Sequence, residues 1–484
     1  MANFKYRQIV EDIIESIYQG ALQHKIYSVR EYAKMKGVGV STVTQAYHEL
    51  EKQGWIQAQP KRGYFVCQQS TPAQPDYGNR YHRIQANQDL ATAVQYSFND
   101  PQVLPLSCTA PSSVIDNEVL LNRQHKQVLK YRPYRLLDAD PIEGIDLLKQ
   151  EICRHLLRSD EVFSQQQVLI TNGRQEGLLL ALVAAKAIGK TVAIESPVSF
   201  YFQSALKQLN NDVIEIPMQA DYAFELALLS EAHQAQPFDT YLINPSFADP
   251  TGRLLSRENK LALLDWAAQH QVTLIEYDRG ELVFSGKRPA TLAGLAGLPT
   301  SRQQVKVISI GDFYDTISPA INLGYLLCVN TLETTQFARQ TMGEPPGLPL
   351  QYMVANLMAS GEYQRIVLKL RAQLQQNYLN SKTLLTAQLS SLPIYISQPT
   401  GGPCLWFKLP EGYSSEVLWQ RVIKAKLSIA PGSMFSFEPQ YECFFRITFG
   451  LPWNNTMQQG IKRLAELIAD YVASPRINSL PTTT

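Results

Sequence analysis

The sequence predicts an α/β protein in two parts: a small helical head that ends in a β-hairpin, and a large body built on a mostly parallel sheet with flanking helices. Three observations carry that prediction. Residues 1–66 hold three helical patterns, then two short strand-like runs around a Pro-Lys-Arg-Gly turn. From about residue 93 to 473, short apolar runs alternate with helical segments, the pattern of a parallel sheet whose crossovers are helices. At 484 residues the chain is long enough for more than one core.

The head comes first. Residues 4–19 place Ile9, Ile13, Ile14 and Ile17 at helical spacing. SVREYAKMK at 28–36 reads as a second, short helix. STVTQAYHELEKQG at 41–54 reads as a third, with Ser41 as N-cap, Val43, Ala46, Tyr47 and Leu50 as one apolar face, and Gly54 as C-cap. WIQAQPKRGYFV at 55–66 reads as two strands. Helix, helix, turn, helix and wing over residues 1–68 form a winged helix-turn-helix. There the first turn of the third helix enters the major groove, where short hydroxyl and amide side chains reach bases and phosphates. Ser41, Thr42, Thr44 and Gln45 occupy that turn, Arg30 lies on the helix before it, and Lys61, Arg62 and Gly63 form the wing tip. These are the DNA-binding candidates. The segment holds nine Lys/Arg against six Asp/Glu, a local net charge of +3.

Residues 69–92 are rich in Gln, Pro and Asn and read as a linker. The body, 93–475, shows strand-like runs at 168–171, 191–196, 239–244, 272–277, 305–311 and 323–329. A smaller α+β subdomain begins at about 362, with a long helix to 390, strands near 403–408 and 443–449, and a helix at 455–473. Residues 476–484 read as a tail.

Composition excludes several classes. Net charge is +1, so any nucleic-acid site is local. The six cysteines form no CxxC pair, so neither a metal site nor a disulfide framework is expected. No apolar run approaches the ~18 residues that span a bilayer, and the N-terminus is not a signal peptide, so a cytoplasmic protein without a membrane partner is expected.

The head is similar to the GntR family of bacterial regulators. Arg30, Thr42, Val43, Gly54, Gly63 and Val66 fit that family's pattern. Its Ser-Arg pair falls on Gly39 and Val40, and its Leu-Pro on Ile26 and Tyr27.

The body resembles fold-type-I aminotransferases over residues 130–450. YRLLDADPIEG at 134–144, ITNGRQEG at 170–177, IESPVSFYF at 194–202, NPSFADPTG at 244–252, GGPCLWFKLPEG at 401–412 and IAPGSMFSFEPQYECFFRITFG at 429–450 match its motifs in order. A GntR-like head before such a body resembles the MocR (GabR-like) subfamily of regulators.

The resemblance implies a pyridoxal phosphate site, and several of its positions here are changed. The lysine that forms the imine falls on Asp315 in IGDFYDTISPAINLGY, and a phosphate-binding arginine falls on Asn322. Asp249 replaces an asparagine, Tyr314 a small residue, and the Glu-Asp-Asp-Tyr segment reads Glu276-Tyr277-Asp278-Arg279-Gly280, with the ring-nitrogen aspartate displaced or lost at Asp278. An aspartate cannot form an imine. A carboxylate ~4 Å from a phosphate costs about 4 kcal/mol per like-charge pair at an effective dielectric near 20. Lys306 and Lys287 are poorly placed to substitute.

The expectation is therefore a bacterial transcriptional regulator and not an enzyme: no cofactor, no catalytic residue, no metal, a double-stranded DNA operator as partner and a head-to-tail homodimer. The alternative is a pyridoxal-phosphate-responsive regulator or aminotransferase that holds the cofactor non-covalently. Arg446 matches the arginine that binds substrate carboxylates, so it is either a small-carboxylate effector site or an internal partner of Asp315 or Asp278. Asn172, Gly173 and Arg174 open a helix that can hold an anion or serve as an ordinary helix start.

Overall fold

The structure is a computed structural model and describes residues 5–18, 22, 24–52, 54–59, 62–66, 90–131, 141–218, 224–297, 304–342 and 345–474. The chain divides into two compact units, Met1–Asp89 and Leu90–Thr484.

In the head, α1 (Lys5–Tyr18), α2 (Val29–Lys36) and α3 (Val40–Lys52) precede β1 (Ile56–Gln59) and β2 (Gly63–Val66), which pair antiparallel. This is the expected winged helix-turn-helix. Its core joins Ile9 and Ile13 of α1 to Val43, Ala46, Tyr47 and Leu50 of α3, with Ile26 and Ile56. The Tyr47 hydroxyl donates to the Tyr27 carbonyl at 2.8 Å, so the largest core side chain keeps its polar tip satisfied. Ser28 caps α2 in a reciprocal box with Glu31. Ser41 is not the cap of α3. The helix starts at Val40, and the Gly39 carbonyl accepts from Thr42 N–H at 3.0 Å and Val43 N–H at 3.2 Å, which leaves Ser41 inside the first turn. Gly54 closes α3 as expected, at φ +77°, with Trp55 N–H reaching the Leu50 carbonyl at 2.9 Å. One feature is new: residues 24–26 add a third, short edge to the wing. Ile26 N–H donates to Tyr64 C=O at 3.1 Å and Val66 N–H to His24 C=O at 2.9 Å.

The body sheet has seven strands: β3 (Val168–Thr171), β4 (Thr191–Ser196), β5 (Asp212–Pro217), β6 (Thr240–Ile243), β7 (Thr273–Tyr277), β8 (Val307–Asp312) and β9 (Gly324–Val329), in the order β3-β9-β8-β7-β6-β4-β5. From β8 to β5 every neighbour is parallel, and β9 runs antiparallel to both β3 and β8. Both faces are covered, as continuous apolar strands require. Successive residues serve opposite cores: Leu274 packs with Leu148, Ile152 and Leu263, and Ile275 with Leu178, Ile194 and Phe202. The helices are α4 (Leu90–Ser97), α5 (Glu118–Tyr131), α6 (Asp146–Leu157), α7 (Gly173–Ala184), α8 (Phe200–Gln208), α9 (Leu226–Ala235), α10 (Arg257–His270), α11 (Leu292–Ala296), α12 (Leu332–Met342), α13 (Leu348–Ala359), α14 (Glu362–Leu389), α15 (Ser415–Lys424) and α16 (Asn455–Ala473). None of the described helices is long and apolar enough to cross a membrane.

In the small subdomain, β10 (Tyr395–Ile396), β11 (Cys404–Lys408), β12 (Ala430–Pro431) and β13 (Phe444–Thr448) form an antiparallel sheet in the order β10-β11-β13-β12. It takes in more of the chain than residues 362–475. α4 begins inside the stretch read as linker, and the segment after it is stitched to the small subdomain. Leu104 N–H donates to Lys426 C=O at 2.9 Å, Ser428 N–H to Leu104 C=O at 3.1 Å and Thr448 N–H to Leu106 C=O at 2.7 Å. Residues 69–89, the tail at 476–484 and residues 132–140 of the Tyr-x-x-x-Asp-x-Asp-Pro motif lie outside the described residues.

Candidate functional site: a winged head and an arginine-lined cavity

In the head, Arg30, Ser41, Thr44, Gln45 and Arg62 are exposed and Thr42 is half-buried. The Thr44 hydroxyl donates to Val40 C=O at 2.9 Å, an i−4 bond along α3. Gly63 sits at φ +102°, a backbone region that calls for glycine. Lys61 lies outside the described residues. Lys25 was missed. Its ammonium lies 5.9 Å from the Phe65 ring centroid, and the Arg62 guanidinium carbon lies 5.6 Å from the same ring. The bridge between Lys25 and Phe65 puts it there, and nothing in the local pattern of residues 24–26 announces that pairing.

In the body, a cavity of ≈ 240 Å³ is lined by Arg174, Asp249, Tyr277, Arg279, Tyr314 and Arg446, with Phe98, Phe200, Tyr201 and Phe435 among its walls. It lies where an open α/β sheet places ligands, outside the carboxyl ends of parallel strands. Phe200 follows β4, Asp249 follows β6, Tyr277 ends β7 and Tyr314 follows β8. Arg174 stands in the first turn of α7, and β13 contributes Arg446.

Asp315 is buried and paired. Its Oδ2 accepts from Arg279 Nε at 3.0 Å, and Arg174 Nη1 lies 3.6 Å from its Oδ1. The Tyr277 hydroxyl donates to Asp312 Oδ2 at 2.7 Å and lies 3.5 Å from Asp315 Oδ2. Burial pushes the Asp312 carboxyl up, Asp315 beside it adds to that, and Arg174 pulls the other way. Burial works against the Arg279 charge, yet Asp315, Tyr277 and Asp249 hold its pKa above the ordinary value.

Asp278 does not face the cavity. Its carboxylate pairs with Arg288 and accepts from Gly280 N–H at 2.9 Å. Alternation at the end of β7 sends Tyr277 and Arg279 to the cavity and Asp278 away from it. Arg446 pairs with neither Asp315 nor Asp278. Its Nη1 donates to Asp249 Oδ1 at 2.6 Å, its Nη2 donates to Ser107 C=O, and its guanidinium carbon lies 5.1 Å from the Phe435 ring centroid. Burial alone would raise the Asp249 carboxyl, but Arg446 and Arg279 hold it below the usual range.

The start of α7 is occupied from within. Asn172 N–H donates to Glu176 Oε2 at 2.6 Å, and Glu176 is held by Arg339 at 2.7 Å. Asn322, exposed overall, packs its amide against Gly173, in space that a Cβ there would need. The Arg174 guanidinium lies between two rings, 4.3 Å from the Tyr314 centroid and 5.6 Å from that of Tyr201. Three arginines, at 174, 279 and 446, thus meet three aspartates, at 249, 312 and 315. Among the described residues no lysine lines the cavity, and no group of three or more His, Cys, Asp or Glu is arranged to hold a metal. Lys306 is exposed, and Lys287 pairs with Asp160 at the surface.

The family model described as "Bacterial regulatory proteins, gntR family" matches residues 5–66, and that of "Aminotransferase class I and II" matches residues 135–276. Among curated proteins, the uncharacterized HTH-type transcriptional regulator YjiR of Escherichia coli is 28% identical over 96% of this chain and 98% of its own length. The HTH-type pyridoxine biosynthesis transcriptional regulator PdxR of Corynebacterium glutamicum is 24% identical over 82% of this chain and 81% of its own. Among solved structures, the kynurenine aminotransferase of Pyrococcus horikoshii superposes with a TM-score of 0.70 at 19% identity, covering 81% of this chain and 97% of that one. LysN, an α-aminoadipate aminotransferase of Thermus thermophilus, gives 0.69 at 21% identity, covering 80% and 98%. The chain therefore joins a gntR-type winged helix-turn-helix to a fold-type-I aminotransferase body, and it is similar along nearly its whole length to HTH-type transcriptional regulators.

Proposed function

We propose that the protein is a MocR-type transcriptional regulator. On this reading the head binds an operator in double-stranded DNA, and the body is a catalytically inactive dimerisation and sensing domain that forms no pyridoxal phosphate imine. The observation that carries the second half is the Arg279–Asp315 ion pair, 3.0 Å long and buried, in which Arg279 lines the cavity and Asp315 stands at the position that matches the fold's lysine. The residues present do not suit pyridoxal phosphate. The cavity offers it no amine among the described residues, its arginines are matched by aspartates, and Glu176 holds the N–H of Asn172 at the start of α7. The head reading rests on the exposed first turn of α3, with Arg30 and Arg62 beside it in sequence order and a gntR-family match over residues 5–66.

Two measurements on the full-length protein test the two halves. Gel-shift and footprinting on the region upstream of its own gene should show salt-sensitive protection of paired half-sites, and binding absent at all salt concentrations there and genome-wide would remove the regulator reading. An absorbance scan with added pyridoxal phosphate should show no imine band. A band lost on borohydride reduction, with the label on a lysine, would overturn the cofactor-free reading.

A further inference from the structure

We infer that Val40 reads a thymine: its side chain meets the 5-methyl group of one thymine in the major groove of each operator half-site. This rests on the reading of the head as a DNA-binding module and names a base that the module selects. Val40 is the first residue of α3, at the end of the helix that enters the groove, and it is 51% exposed. Gly39, the residue before it, has no side chain to shield it.

The surface around Val40 suits base edges better than phosphates. Val40, Thr44 and His48 follow one another down α3 at i, i+4 spacing, and Ser41 and Gln45 form the next strip. All five are exposed, and none is a lysine, arginine or carboxylate. Phosphate contacts need cations, and the head carries those elsewhere, at Arg30 on α2 and at Lys25 and Arg62 around the Phe65 ring of the wing. The Thr44 hydroxyl donates to Val40 C=O at 2.9 Å, so its proton is spent inside the helix. Beside Val40 it adds a methyl group and oxygen lone pairs but no donor. The apolar group that a base pair shows in the major groove is the thymine methyl; the other groups there are donors and acceptors, which a valine cannot satisfy.

The test uses the full-length protein and duplexes selected with it from a random-sequence library. Each thymine of the selected duplex is replaced in turn by deoxyuridine, which removes the methyl group alone. In anisotropy titrations one replacement per half-site should weaken binding about three- to tenfold. Val40→Ala should weaken the unaltered duplex by a similar factor and bind the thymine and deoxyuridine duplexes equally. Its affinity for an unselected duplex and its salt slope should stay within about twofold of the parent's, because no phosphate contact is touched. A thermal melt checks folding, and Val40→Thr, of the same shape, is the second variant and should narrow the same difference. If no thymine is sensitive to loss of its methyl group, or if the sensitivity persists in both variants, the inference is overturned while the DNA-binding reading stands. A selection that returns no preferred duplex overturns both.

Discussion

At position 315 a carboxylate meets the guanidinium of Arg279 with almost no water around either, so removing one side chain leaves its partner buried without that contact. Asp315→Ala should destabilise the body by about 3–5 kcal/mol, since it leaves Arg279 buried and unpaired, and Arg279→Leu placed beside it should recover most of that loss in urea unfolding. A second residue sets a pH dependence. Burial, and Asp278 nearby, push the Glu276 carboxyl up to about 7 from 4.5, against the pull of the Leu292 and Ala293 N–H groups it accepts at 2.9 Å. The folded state then holds this proton more tightly than the unfolded chain. The stabilisation is complete below pH 4.5 and is lost as pH rises to about 7. Urea midpoints of Glu276→Gln should therefore vary less across that interval than those of the parent. Much of the site was legible because one substitution inside a recognisable motif, Asp315, speaks for itself. The role of Tyr277 was not, because which of two adjacent residues faces a cavity depends on where a strand ends. The pairing of Arg446 with Asp249 joins residues 197 apart in sequence, a distance over which local pattern carries no information.

Among the elements, the helices and the buried strands of the body follow their apolar spacing, and α16 runs from Asn455 as expected. The strands that escaped notice, β5, β10 and β12, lie at sheet edges or span two residues, where one face of water-exposed backbone demands little of the side chains. The start of α3 lies two positions before the one that a Ser41 cap implies, because the first turn already closes on the Gly39 carbonyl. The wing is the element to test for DNA contact. Arg62→Ala should weaken binding about equally across sequences and lower the slope of log K against log salt by about 1, and Lys25→Ala should do the same. Gly54→Ala forces an L-residue to φ +77° at the end of α3 and should cost about 1 kcal/mol or more of head stability by thermal unfolding.

For the molecule as a whole, the division into Met1–Asp89 and Leu90–Thr484 supports two functions in one chain, each with its own core. The homodimer proposed for the body should sediment at about twice 54.5 kDa, and with the winged head removed at residue 68 it should stay dimeric, at about twice the mass of the shortened chain. A monomer at micromolar concentration would separate the body from the dimeric arrangement expected of it. The stitching of residues 90–106 to the small subdomain has a consequence for synthesis. Ser97 bonds Ser428 across 331 positions, so α4 and the segment behind it leave the ribosome long before their partners exist. At about 5–20 residues per second the wait is on the order of half a minute, during which Val94, Val103 and Leu106 have no core to enter. The chain just after the head thus carries apolar side chains that stay uncovered while the body is still being made.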